Sequence, residues 1–76
     1  MDRRVTFHRI FSADSVEGRV DVIFNEQATS AFVEGRWVER EQAIAEAKHL
    51  AMKRKLPIGV YLLRREQWNA GWGRLI

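Results

Sequence analysis

The stretch ERE QAIAEAKHLAMKRKLPIGVYLL, residues 39 to 63, decides the fold. Its first part, Glu39 to Lys55, carries apolar residues at helical spacing among good helix formers, which predicts one amphipathic helix. Acidic residues fill the first half and basic residues the second, as the helix dipole favours. Leu56-Pro57 ends the helix because proline has no amide hydrogen to donate. Ile58 to Leu63 is apolar on both faces, which predicts a strand in the interior of a sheet.

The segments before the helix alternate with a period of two, as half-buried strands do. Arg3 to Phe11 and Arg19 to Phe24 are predicted strands, and the turn-forming residues 12–18 between them predict a hairpin. Thr29 to Val38 is a third predicted strand, which Gly35 weakens or bends. Trp37 is expected in the core, between this strand and the helix.

A short strand is also predicted at the C-terminus, in a hairpin around Asn69-Ala70-Gly71. The predicted fold class is therefore α+β: a small, mainly antiparallel sheet in the order β-β-β-α-β, with one helix packed on one face. Because one helix covers only one face of a sheet, the other face is expected to be available for a partner.

Length and composition predict a single domain spanning residues 1–76, since a second core needs more chain. The sequence has no cysteine, which agrees with a reducing, cytoplasmic location. The longest uncharged run, Leu56 to Leu63, is too short to cross a bilayer, so no membrane association is expected.

Charge is distributed unevenly along the chain, although the net charge is only +3. Residues 20–47 hold two arginines and six acidic residues, whereas residues 48–76 hold seven basic residues and one acidic residue. Such asymmetry indicates either an interaction surface or a helix whose two halves complement its dipole.

Motifs for catalysis are absent from the sequence, and we expect a protein that is not an enzyme and uses no cofactor. His8 and His49 have no second ligand at metal-binding spacing, so no metal site is predicted. The serines lack the Gly-x-Ser-x-Gly context of a nucleophile. Gly71-Trp72-Gly73 lacks the preceding strand and following helix of a phosphate-binding loop.

Tryptophan and arginine are the residues most enriched in the centres of protein interfaces. The candidate partner-binding residues are Trp68, Trp72, Arg74, Arg64 and Arg65. An alternative, nucleic-acid-binding set is Arg3, Arg4, Lys53, Arg54 and Lys55, with a tryptophan to stack on a base. Competing interpretations are that the tryptophans close the core and that the basic residues are solvated ends of elements.

The run AFVEGRWVEREQAIAEA, residues 31–47, is a strand leading into an alanine-rich helix, and an apolar strand follows it. In topology and spacing, residues 18–65 resemble small proteins of bacterial viruses and mobile elements. One such group is the arm-site DNA-binding domain of tyrosine integrases, and the other comprises phage inhibitors such as anti-CRISPR proteins and RNA-polymerase inhibitors. The integrase sheet is expected to be basic, whereas Asp21, Glu26 and Glu34 lie in or near the strands here.

The resemblance implies a phage-type inhibitor or adaptor that docks on a bacterial nucleic-acid-handling complex, such as a CRISPR-Cas effector. The alternative is a small nucleic-acid-binding module that uses the basic residues and tryptophans. A homodimer is a third option, since apolar edge strands pair with copies of themselves.

Overall fold

The computed structural model describes residues 5–76, so Arg3 and Arg4 of the nucleic-acid-binding set lie outside the described residues. The strands are β1 (Thr6–Ile10), β2 (Val20–Phe24), β3 (Ser30–Val33), β4 (Arg36–Glu39), β5 (Ile58–Tyr61) and β6 (Arg74–Leu75). The helix α1 spans Arg40–Arg54, and two 3-10 turns span Arg65–Gln67 and Ala70–Trp72. Within this part of the chain, no helix has the length and hydrophobicity needed to cross a membrane.

The six strands form one sheet in the order β4-β3-β2-β5-β1-β6. The predicted α+β class is confirmed, with one helix packed against the sheet. The β2-β3 and β3-β4 pairs are antiparallel, whereas β5 pairs in parallel with both β1 and β2, and β6 with β1. Parallel pairing is thus more extensive than the sequence predicted. The apolar strand β5 lies inside the sheet, as predicted.

The predicted hairpin between the first two strands is wrong, because β5 lies between β1 and β2. Placing β5 at the centre buries Ile58 and Val60, which are 2% and 0% exposed. The predicted strand at the C-terminus is present as β6, but it pairs with β1 and forms no hairpin. An alternating pattern identifies strands, but it does not say which strands are neighbours.

The third predicted strand is in fact two strands, β3 and β4, joined by the two-residue turn Glu34-Gly35. Both turn residues have positive φ, 50° and 83°, as a type I′ hairpin turn requires. This turn pairs Phe32 with Trp37, so Trp37 shares a face with Phe32 and not with Val33. The prediction that Trp37 is a core residue is therefore wrong: its side chain is 56% exposed.

The helix α1 agrees with its prediction, and Glu39 caps its start. The Glu39 carboxylate accepts hydrogen bonds from the backbone N–H groups of Glu41 and Gln42, at 3.0 and 3.2 Å. At the other end Lys55 adopts the left-handed conformation and closes the helix. The helix buries a stripe of Ala43, Ile44, Ala47 and Ala51.

The two faces of the sheet are covered to different extents. One face packs against α1 and the C-terminal segment, and it holds the buried side chains of every long strand, such as Phe7, Val22 and Val33. The opposite face is crossed by the connection from β1 to β2, residues 11–19, whose Val16 N–H donates to the Asp21 carboxylate at 2.9 Å. The expectation of a wholly uncovered face is thus wrong where this connection crosses it.

Candidate binding surface

The face of the sheet opposite α1 carries a row of apolar side chains that runs from Ile10 of β1 through Tyr61 of β5 to the β4 edge, and its last three members lie on β2, β3 and β4. Ile23 of β2 is paired with Phe32 of β3, and Phe32 is paired with Trp37 of β4. We call these three residues the Trp37 surface. Ile23 and Phe32 are partly buried, and Trp37 is largely exposed. The row therefore ends in a large exposed aromatic ring at the edge of the sheet.

Phe32 holds the Trp37 ring in place. The two ring centroids are 5.5 Å apart with planes at 64°, an edge-to-face arrangement. Because Phe32 is fixed by its neighbours in the sheet, Trp37 stands on a rigid support and not on a mobile loop. A preorganised aromatic ring loses little conformational entropy when a partner covers it.

A shallow cleft of about 270 Å³ lies beside Phe32, between the 11–19 connection and the β3-β4 turn. Glu17 and Glu34 contribute to its lining, together with Asp21. The guanidinium of Arg19 pairs with Asp21 at 2.5 Å and lies over Gly59, so it is already occupied. Two of the three carboxylates are thus in ion pairs, Asp21 with Arg19 and Glu34 with Arg54, and Glu17 adds a further negative charge beside the Trp37 surface.

Glu34 is also held by an ion pair, with Arg54 at the end of α1. Two guanidinium nitrogens donate to the two carboxylate oxygens, at 3.1 and 2.9 Å. The hydrogen bonds from Arg54 lower the pKa of Glu34 below its ordinary value. This pair ties the turn of the hairpin to the helix and keeps the carboxylate charged.

The sequence-predicted tryptophans, Trp68 and Trp72, belong to an aromatic cluster with Phe7 and Phe24. The centroids of Trp68 and Trp72 are 4.9 Å apart, and Trp68 lies 4.8 Å from Phe7. Trp72 is only 6% exposed, and its indole N–H donates to Glu41 at 2.9 Å. The indole N–H of Trp68 donates to the carbonyl of Gly73 at 3.0 Å. Both rings close the core, which was the competing interpretation of the sequence.

Arg64, Arg65 and Arg74 are exposed, and they lie near the C-terminal aromatic cluster in the chain. The Arg65 guanidinium donates to the carbonyl of Leu75 and so fastens the segment that carries both tryptophans. The tryptophan-arginine site stays a prediction, and little of Trp72 is available to a partner.

The basic residues of the nucleic-acid-binding set lie before β5, and two of those arginines lie after it. Lys53, Arg54 and Lys55 end α1 just before β5, and Arg64 and Arg65 follow β5. The two groups are thus separated by the length of that strand, roughly 10 Å at 3.3 Å per residue. Arg54 is also engaged by Glu34.

The surface residues that sequence reasoning missed are Phe32 and Trp37. The available signal was Glu34-Gly35, a pair suited to a two-residue turn between β-forming segments. In a single straight strand Trp37 would lie on the same face as Val33, because the two residues are an even number of positions apart. The two-residue turn instead pairs Trp37 with Phe32, and so places Trp37 on the face opposite Val33.

In residues 5–76, no group of three His, Cys, Asp or Glu side chains is placed to hold a metal ion. Comparison with known proteins finds no matching protein family, no matching curated protein and no matching solved structure.

Proposed function

We propose that this chain is a non-catalytic binding protein of the cytoplasm, a phage-type inhibitor or adaptor that docks on a bacterial nucleic-acid-handling complex such as a CRISPR-Cas effector. The observation that carries the docking proposal is Trp37, a tryptophan 56% exposed on an edge strand and supported by Phe32. Tryptophan is strongly enriched among the residues that dominate interface energetics. The resemblance to phage inhibitors supports the class of partner.

The charges near Trp37 favour a protein partner over direct contact with nucleic acid. Glu17, Glu34 and Asp21 line the adjacent cleft, and the nearby cations Arg19 and Arg54 are paired with Asp21 and Glu34. A phosphate backbone gains little from such a surface, because nucleic-acid affinity depends on unpaired cations. Complexes that handle nucleic acid carry basic surfaces, which an acidic docking site complements.

The alternative function, a nucleic-acid-binding module, has weaker support. Its cations lie in two separate groups, and the two C-terminal tryptophans are packed in the core. Titration with single-stranded oligonucleotides at low salt tests it directly. Binding that weakens steeply with salt, and that is lost on neutralising Lys53 and Lys55, supports this alternative and contradicts docking through Trp37.

Capture from nuclease-treated bacterial lysate tests the docking proposal. The immobilised wild-type chain is compared with the variants Trp37→Ala and Met52→Ala. Met52→Ala is the control, because Met52 of α1 is another large apolar side chain that is 62% exposed. We expect mass spectrometry to find proteins retained by the wild type and Met52→Ala but lost with Trp37→Ala. Equal capture by all three folded chains contradicts docking through the Trp37 surface.

A further inference from the structure

We propose that the partner binds as an extended, basic segment that adds a strand to the free edge of β4 and lays an apolar side chain on Trp37. This inference rests on the proposed function and names how the partner is recognised. Strand addition gains its affinity from main-chain hydrogen bonds and its specificity from alternate side chains.

The first support is the position of β4, which forms one edge of the sheet. Hydrogen bonding alternates along an antiparallel pair, so successive residues direct their N–H and C=O groups to opposite sides. The N–H of Arg40 donates inward to the carbonyl of Thr29 at 3.2 Å. By this alternation Trp37 directs both its N–H and its C=O outward, away from β3, and Glu39 directs its N–H outward, whereas the Glu39 carbonyl, as the N-cap of α1, accepts the first hydrogen bond of the helix.

The second support is the small size of the Trp37 surface. Three strands spaced roughly 4.8 Å apart and about four residues long cover far less than the ~800 Å² per partner of a standard interface. A folded partner that docks flat on so small an area binds weakly. An extended segment needs less area, because each outward backbone group of β4 is available to it.

A second copy of the chain suits this edge poorly. The antiparallel alignment of two β4 strands that uses both outward residues places Trp37 of one copy opposite Glu39 of the other. The same alignment sets Arg36 opposite Arg40, and like charges directly opposite each other destabilise a strand pair. The edge therefore fits a different chain better than a copy of itself.

The third support is charge. The exposed side chain of Glu39 lies two residues from Trp37 on the same face of β4, and Glu17 lines the neighbouring cleft. A residue of the added strand opposite Trp37 meets an aromatic ring, and the residue two positions away meets a carboxylate. The segment that fits carries an apolar residue and a lysine or arginine at alternate positions.

The probe is the peptide acetyl-Thr-Val-Thr-Lys-Thr-Val-Thr-Lys-amide, which has valine and lysine on one face and threonine on the other. Two matched peptides serve as controls. One has glutamate in place of both lysines, and the other has proline at its two central positions, in place of the first lysine and the third threonine. Binding to the ¹⁵N-labelled chain is followed by NMR. We expect the lysine peptide to shift the amides of Trp37 and Glu39 most, and the glutamate and proline peptides to bind at least about tenfold more weakly.

Two protein variants isolate the backbone contact. Glu39 has φ −62°, which proline adopts, so Glu39→Pro removes the outward N–H without straining the chain. Glu39→Ala is the matched control, since it loses the same carboxylate but keeps the N–H. With both variants shown to be folded by circular dichroism, we expect Glu39→Pro to bind the lysine peptide roughly fivefold more weakly than Glu39→Ala.

Equal binding by Glu39→Pro and Glu39→Ala overturns strand addition, as does an absence of amide shifts on β4 with the lysine peptide. Equal binding of the lysine and glutamate peptides overturns the basic character of the segment. These results are distinguishable from failure of the proposed function: proteins lost from capture by Trp37→Ala still support docking, even if the Glu39 variants do not differ.

Discussion

Trp72 and Trp37 have the same side chain, and the fold uses them in opposite ways. Trp72 stacks on Phe24 at 5.8 Å in the C-terminal cluster and is 6% exposed, whereas Trp37 rests on a single ring and is 56% exposed. The difference arises from chain direction: the segment after β5 crosses the helix side of the sheet, and the β3-β4 turn sends Trp37 to the other side. In this domain the path of the chain before each tryptophan therefore decides whether its side chain lies in the core or on the surface.

Replacing each tryptophan by alanine tests this contrast most strongly. Trp72→Ala opens a cavity beside Phe24 and Trp68, so we expect a loss of about 3–5 kcal/mol in the free energy of unfolding. Trp37→Ala removes a ring that is mostly in water already and is expected to cost less than about 1 kcal/mol. Urea denaturation followed by circular dichroism measures both, and similar losses for the two variants contradict the contrast.

Two glycines with positive φ, one in each region, sharpen the comparison. An alanine Cβ at Gly73 (φ 143°) lies 2.8 Å from a ring carbon of Phe7, which is fully buried and has no room to move. At Gly35 (φ 83°) a Cβ meets nothing within 4 Å. We expect Gly35→Ala to cost about 1 kcal/mol from backbone strain alone, and Gly73→Ala at least about twice as much. Thermal denaturation of both variants measures which loss of stability is larger. A smaller loss for Gly73→Ala than for Gly35→Ala means that the C-terminal segment is loosely packed.

The hydrogen bond from Trp72 to Glu41 gives a smaller effect. Glu41→Ala leaves the indole N–H without this acceptor and is expected to cost about 1 kcal/mol, whereas Glu41→Gln keeps an acceptor oxygen and is expected to cost less. The same denaturation experiment applies. Equal losses for alanine and glutamine indicate that the negative charge at the start of α1, and not the hydrogen bond, is what stabilises the fold.

Much of the fold could be predicted because local patterns determine it. The helix and the interior position of β5 follow from periodicity and from proline at residue 57. The strand order could not be predicted, since the alternation in β1 and β2 is equally compatible with a hairpin and with a crossover. The apolar strand β5 favours the crossover, because it then has a neighbouring strand on each of its edges. That preference depends on the whole sheet and not on β1 and β2 alone.

The candidate site was harder to predict than the fold. Sequence reasoning favoured Trp68 and Trp72, which are accompanied by arginines, over Trp37, which is surrounded by strand-forming residues, whereas Trp37 is the tryptophan with the largest exposed fraction. Only the two-residue turn at Glu34-Gly35 reveals that Trp37 leaves the core face. This pair of turn residues thus decides that the Trp37 side chain is exposed on the surface of the sheet.

The smallest predicted effect concerns the ion pair between Glu34 and Arg54, which holds the turn of the β3-β4 hairpin to α1. Hydrogen bonds from Arg54 lower the pKa of Glu34 from its ordinary value of 4.5, so the charged carboxylate favours the folded state. The resulting stability is fully present above pH 4.5 and is lost as the pH falls through the lowered pKa of the folded state. Because the pair is exposed, solvent and salt screen it, and the effect on stability is small.

Glu34→Gln tests this pair against the core cluster, whose stacked rings do not titrate. We expect the melting temperature of Glu34→Gln to lie slightly below that of the wild type at pH 7, and the difference to vanish in acid and to shrink at high salt. A difference that persists unchanged from pH 7 into acid means that the glutamine acts through packing or turn conformation. In that case other contacts hold the hairpin that carries Trp37 to α1, such as the ion pair between Arg36 and Glu46 at 2.6 Å.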